Sequence, residues 1–321
     1  MKSALHTISY AGIWHGHSDE RQAFLDVEAT IEKAAALGFD TIMLMAKRPH
    51  ASILDMDEDA LARIRRRMES CRVGLACIAA YTHFSAGVES PEVPLLEMQI
   101  AYVERTARMA KSLGGDLVRI FTAYERDDVP FPAAWRRCVS SLRECADRAR
   151  EHGVRIGVQN HHGIAVTAEA LRDLLDDVGR DNCVACYDPW SPAVRGDEDP
   201  VAGVRLLGPR IAHTTLADYR RVARYNYIPA LVNYQKMPDF LQAVQIGEGF
   251  VPNDAHLAAL AEIGYTGAVA YEICSPVRGG GAEANLDSYC RTFLNWFRRA
   301  ARGARVPATP TRRRPRPPRR G

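Results

Sequence analysis

The chain has 321 residues, a hydrophobic fraction of 47% and a formal net charge of +3. No uncharged apolar run reaches the ~18 residues of a membrane span. The N-terminus, Met1-Lys2-Ser3-Ala4-Leu5-His6, lacks the apolar core of a secretory signal, so a cytoplasmic protein is expected.

The charge is uneven. Residues 302–321 hold eight arginines, five prolines and no acid, which leaves −5 on residues 1–301. That acidic body argues against a nucleic-acid-binding domain. The tail has too little apolar surface to offset its ordering entropy and is expected to be a disordered basic Pro/Arg-rich extension. Residues 1–301 are expected to form one domain.

Within residues 1–301, short apolar runs alternate with amphipathic segments, the pattern of βα units. Leu5–Ser9 is the first expected strand, followed by a helix over Val27–Leu37 that Gly38 stops. Thr41–Met45 and the Asp57-capped helix to Cys71 form the second unit. Gly74–Ala80 precedes a long helix, Leu95–Leu113, and Leu117–Phe121 precedes Ala133–His152. Val154–Gln159 leads to a helix opened by Thr167, and Cys183–Tyr187 leads to Val201–Leu207. Arg210–His213 with Ala255–Ile263, then Gly267–Glu272 with Ala284–Arg299, complete eight units. Eight strands each followed by a helix predict a closed (β/α)8 TIM barrel. The doubly wound alternative lacks a Gly-rich turn after its first strand.

Cys183 and Cys186 make a C-x-x-C, but a strand places residues three apart on opposite faces, so both read as structural thiols. Two connections are long. Tyr10–Arg21 carries Trp14, His15 and His17; Tyr219–Asp254 carries Tyr225, Tyr227, Tyr234, Lys236 and Phe240 and is expected to be a lid over the active face.

Ionisable residues gather where strands five to eight end: Gln159-Asn160-His161-His162, Asp188-Pro189-Trp190, His213-Thr214-Thr215 and Glu272. If Glu272 points into the barrel, so do Ala270 and Ala268; if Gln159 does, so do Gly157 and His161. A carboxylate pair with an imidazole and an amide oxygen can hold one divalent metal ion, Mn²⁺, Mg²⁺ or Zn²⁺.

These motifs resemble the xylose isomerase-like TIM-barrel superfamily of sugar isomerases, epimerases and related endonucleases. The resemblance rests on Gln159-Asn160-His161, Asp188-Pro189, His213 and Glu272. The turn Gly247-Glu248-Gly249 and the run Ile263-Gly264-Tyr265-Thr266-Gly267 add to it. It implies that Gln159, Asp188, His213 and Glu272 ligate the metal, and that adjacent carbonyl and hydroxyl oxygens of a carbohydrate substrate chelate it. The endonuclease branch fits poorly, because Thr215 stands where a strand-seven His-x-His would carry its second histidine.

Epimerases of this family typically carry Glu at the strand-five position. Gln159 cannot accept a proton at neutral pH, so a symmetric two-carboxylate epimerisation is not expected. Glu272 is left as the base, with His161 as the second acid or base. His6, Trp14, Lys236 and Arg278 are further substrate-binding candidates, Arg278 beside the turn Gly279-Gly280-Gly281. The expected function is a metal-dependent sugar or keto-sugar isomerase or epimerase working through an enediolate. A metal-dependent lyase, dehydrating or cleaving a 3-keto-glycoside, is the alternative, and a non-catalytic barrel subunit the third reading. A homo-oligomer or a hetero-subunit is compatible with all three.

Overall fold

A computed structural model describes residues 1–12 and 22–303. Trp14, His15, His17 and the basic tail beyond residue 303 lie outside the described residues. Eight parallel strands close into a barrel: β1 (Lys2–His6), β2 (Thr41–Met45), β3 (Gly74–Ala79), β4 (Leu117–Ile120), β5 (Arg155–Gln159), β6 (Cys183–Cys186), β7 (Ile211–Leu216) and β10 (Ala268–Tyr271). The helices packed around it are α1 (Val27–Leu37), α2 (Glu58–Cys71), α3 (Leu95–Ser112), α4 (Phe131–Arg150), α5 (Ala168–Val178), α6 (Trp190–Arg195), α7 (Pro200–Leu207), α8 (Asn253–Glu262) and α9 (Glu283–Gly303). None is long and apolar enough to cross a membrane among the described residues.

Local chemistry sets several boundaries. Asp26, Asp57 and Thr167 each accept a bond from the backbone N–H three residues on, at 2.8, 2.8 and 3.1 Å, which satisfies one free donor of α1, α2 and α5. Gly38 and Gly179 end α1 and α5 in the left-handed conformation. β1 starts earlier than its apolar run predicts. His6 Nδ1 accepts from Ile8 N at 3.3 Å and turns Thr7–Tyr10 into a 3₁₀ segment, so the pairing with β10 covers Lys2–Leu5.

Two faces of each strand build two cores. Val118, Ile120, Val269, Tyr271 and Cys183 pack outward against the helices, whereas Ala4, Met43, Cys77, Leu117, Cys186 and Ala270 fill the barrel. Cys183 and Cys186 thus face opposite ways, as the strand period requires, and all the cysteines are free. Gly157 is needed inside: a Cβ there would lie 2.4 Å from Cys186 Sγ.

The connection after β7 is not an open lid. It is an antiparallel hairpin of β8 (Tyr219–Ile228) and β9 (Asn233–Ala243), closed by a 3₁₀ turn over Pro229–Leu231. Most of its side chains are exposed, Tyr225, Tyr227 and Tyr234 among them. Alternating strand residues between Asn and Pro turns let the segment pair with itself, which a reading for loops alone does not anticipate.

Behind β7, fully buried His256 of α8 sits 3.1 Å from Thr214 Oγ1. Burial pushes its imidazole down to about 3, from an ordinary value of 6.5. The native state therefore keeps this ring neutral while the unfolded chain takes up a proton below pH 6.5. Its contribution is intact above that pH and is lost as pH falls toward the folded value. Lowering the pH from 7 to 5 is expected to cost about 2 kcal/mol through this residue alone. Urea denaturation of His256→Gln at the two pH values should show that much less acid loss than the parent.

Candidate active site

The strand ends open into a cavity of about 730 Å³. Its wall combines Lys47 after β2, Tyr81 after β3, Arg119 of β4, Gln159 of β5, Thr215 of β7 and Glu272 after β10. His161 and His162 after β5, Phe121 after β4, Trp190 of α6 and Tyr219 at the root of the hairpin add aromatic surface.

Glu272 follows the last residue of β10, and its N–H donates to Leu216 O at 3.0 Å, so the carboxylate is held at the mouth. It is the one carboxylate lining the cavity among the described residues. Gln159, 3% exposed, is inside as alternation predicts, and its Nε2 donates to Asp188 Oδ2. Its Oε1 has no partner among the described residues.

Asn160 performs a separate task. It donates from Nδ2 to Asp188 O at 3.0 Å and accepts from Asp188 N at 2.8 Å, which ties the ends of β5 and β6 together. The expected second acid or base, His161, lines the same cavity, with ring centroids 4.8 Å from Phe121 and 5.0 Å from Trp190. Its neighbour His162 adopts a left-handed backbone and stacks between Phe121 and Tyr124 at 4.3 and 4.1 Å. Burial and then Arg119 push the His162 imidazole down to about 4, so that ring is neutral near pH 7.

Two of the expected ligands lie beneath the cavity wall. Asp188 is buried, accepts from Thr215 N at 2.6 Å through Oδ1, and burial above all pushes its carboxyl up to about 7. His213 is fully buried and its Nε2 lies 3.7 Å from Cys77 Sγ. Burial and then Arg119 push it down to about 3. The inward residue of β7 that lines the cavity is Thr215, one inward step nearer the mouth.

A divalent ion does not suit the donors as arranged. Asp188, His213 and Glu272 form no group able to hold one among the described residues. Both Asp188 oxygens already accept N–H bonds, from Gln159 and Thr215. The cavity wall itself offers one carboxylate, Glu272, with the Gln99 and Gln159 amides, the Thr82 and Thr215 hydroxyls and the imidazoles of His83, His161 and His162, and sets Arg119 and Lys47 beside them. Two fixed positive charges oppose a dication at the same place.

The remaining candidates are dispersed. His6, the last residue of β1, is fully buried and does not line the cavity. Lys236 stands on the exposed hairpin opposite Tyr225, and Arg278 is exposed; neither lines the cavity. Their distance from the cavity follows from the hairpin pairing with itself and from Val277, which anchors the last loop by its bridge to Ala243.

Arg119 and Lys47 are the residues that sequence reasoning missed. Arg119 is 2% exposed; its Nη1 donates to Ala80 O at 3.0 Å, and its guanidinium lies 4.2 Å from the Phe121 ring centroid and 5.1 Å from that of Tyr81. Lys47 Nζ lies 4.0 Å from the Tyr81 ring centroid. Burial and then Arg119 push the Lys47 ammonium down, and Glu272 acts against that shift. The signal was present in Leu117-Val118-Arg119-Ile120, a lone cation inside an apolar strand at an inward position.

Residues 31–299 match the xylose isomerase-like TIM barrel family. No curated protein sequence matches the chain. Among solved structures, a D-psicose 3-epimerase with D-tagatose from Clostridium cellulolyticum H10 superposes with a TM-score of 0.70 at 19% identity, over 94% of this chain and 99% of that one. An L-ribulose 3-epimerase gives 0.71 at 16%, over 95% of each chain. A xylose isomerase-like TIM barrel protein from Mycobacterium smegmatis in complex with magnesium gives 0.66 at 15%, over 95% of this chain and 98% of that one. The chain belongs to the xylose isomerase-like TIM barrel family.

Proposed function

We propose that the chain is a carbohydrate isomerase or epimerase that moves a proton at a carbon beside a carbonyl, with Glu272 as the base. The observation that carries this reading is Glu272, the one cavity carboxylate among the described residues, sharing an aromatic-walled pocket with Arg119 and Lys47. Two structural relatives are named as sugar 3-epimerases, which supports the reaction class.

Aromatic faces at Trp190, Phe121, Tyr81 and Tyr219 suit the C–H faces of a sugar, and the polar groups between them suit its hydroxyls. Glu272 takes the proton from carbon. The C–H electron pair becomes the C=C bond of the enediolate, and the carbonyl π electrons move onto oxygen. Arg119 and Lys47 meet that developing negative charge. Returning the proton to the neighbouring carbon, while the hydroxyl proton passes to the former carbonyl oxygen, isomerises the sugar; returning it to the opposite face of the same carbon, with the carbonyl re-formed, epimerises it. His161, on the same cavity wall, is the group for that return, since the Gln159 amide carries no transferable proton at neutral pH. No step requires the four-ligand metal centre expected from the sequence.

The three exposed tyrosines of the hairpin do not line the cavity, so they add no aromatic surface to the site. Incubating the protein with a panel of ketoses and aldoses in D2O tests the reading by NMR. Deuterium at the carbon next to the carbonyl is expected, with an isomeric or epimeric product. A released aglycone or an unsaturated sugar in its place would decide for elimination.

A further inference from the structure

Arg119 is a guanidinium inside the barrel, 2% exposed, whose buried Nε has no hydrogen-bond partner among the described residues. Its Nη1 donates to a neutral carbonyl, Ala80 O, and its guanidinium meets the rings of Tyr81 and Phe121. Lys47, half-buried on the same wall, lies over the Tyr81 ring and feels the Glu272 carboxylate without pairing directly with it. Neither forms an ion pair with a carboxylate among the described residues. A buried cation with no direct ion-pair partner is costly, and a protein that maintains one in a cavity has a use for it when the cavity fills.

The charges also do not balance during turnover. Arg119 and Lys47 supply two positive charges, whereas Glu272 is the only carboxylate on the wall among the described residues. When Glu272 has taken its proton, the enediolate offsets one cation and leaves the other bare. A substrate that brings its own permanent negative charge closes that gap. Arg presents a planar fork that fits a carboxylate, and Lys adds a point charge beside it.

We infer that Arg119 and Lys47 form the binding site for the carboxylate of a sugar-acid substrate, so that the protein acts on hydroxy- or keto-acids of the sugar series rather than on neutral sugars. The inference rests on the reading of this cavity as the active site, and names its substrate class.

Calorimetric titration of the full chain in excess EDTA, with D-glucuronate and D-galacturonate against D-glucose and D-galactose, tests it. The acids are expected to bind at least about tenfold tighter than the neutral sugars, with an affinity that falls as salt rises. Arg119→Gln should remove that preference, and Lys47→Met, at a half-exposed position that the fold tolerates, should reduce it several-fold. Arg119→Lys should restore part of it. Equal affinity for acids and neutral sugars, binding of neither, a preference unaffected by Lys47→Met, or binding that appears only when a metal is added would overturn the inference. Proton exchange on neutral ketoses with no preference for acids would overturn it too, while leaving the reaction class in place.

Discussion

Glu272→Gln is expected to lower the rate of proton exchange on the substrate by about 10³-fold and to leave substrate binding within a few-fold of the parent. A positioned general base contributes on the order of 10²–10⁴ in rate, about 3–5 kcal/mol of barrier. The amide has the shape of the carboxylate and retains its hydrogen-bonding reach, but it cannot take a proton. No other carboxylate lines the cavity among the described residues, so no neighbour stands ready to replace it. Asp188 does not serve, because Gln159 and the Thr215 N–H already engage its two oxygens. The measurement is deuterium loss from labelled substrate, followed by NMR beside a direct binding titration. A variant that exchanges at the parent rate would remove Glu272 from the mechanism.

The largest stability effect is expected at Asp218, just after β7. Its carboxylate accepts four backbone N–H bonds: from Tyr219 at 2.9 Å, Gly247 at 2.8 Å, Gly249 at 3.0 Å and Val251 at 3.1 Å. One buried side chain thus holds the Gly247-Glu248-Gly249 turn against the root of the hairpin. Asp218→Ala strands these donors, and each buried donor left unpaired costs about 1–3 kcal/mol. Water reaches part of the turn, so a loss of about 3–5 kcal/mol is expected in urea denaturation. Gly249→Ala tests the same closure sterically. A Cβ there would lie 2.0 Å from Asp218 Oδ1 and 2.5 Å from Tyr219 O, and the backbone oxygen cannot swing away. Because Tyr219 lines the cavity, both variants should also raise KM more than they lower kcat. Unchanged stability in both would show that the turn is held by something other than Asp218.

Much of the barrel was legible from alternation and caps. Apolar runs, with Gly38 stopping the first helix, located the units, and Asp57 and Thr167 opened the helices they were expected to open. Period-two patterning also put Cys183 and Cys186 on opposite faces and Gln159 and Glu272 on the cavity. What alternation conveys is the face of a strand, not the height along the barrel axis. His213 and Thr215 share a face, but only Thr215 reaches the cavity, while His213 turns to Cys77 below it.

Arg119 shows the same division. Its inward parity could be read from Leu117-Val118-Arg119-Ile120, yet its meeting with Lys47 and Tyr81 depends on how β2, β3 and β4 are staggered around the barrel. The hairpin followed the same rule, since its residues suit strands but only pairing Tyr219–Ile228 with Asn233–Ala243 removed Lys236 from the site. The opening picture was one barrel with a four-ligand metal at its mouth. The barrel was contained in the sequence, because hydrophobic period and helix capping are local properties. The content of the mouth, which among the described residues sets Glu272 beside Arg119 and Lys47, was decided by strand register, a long-range property that no local pattern encodes.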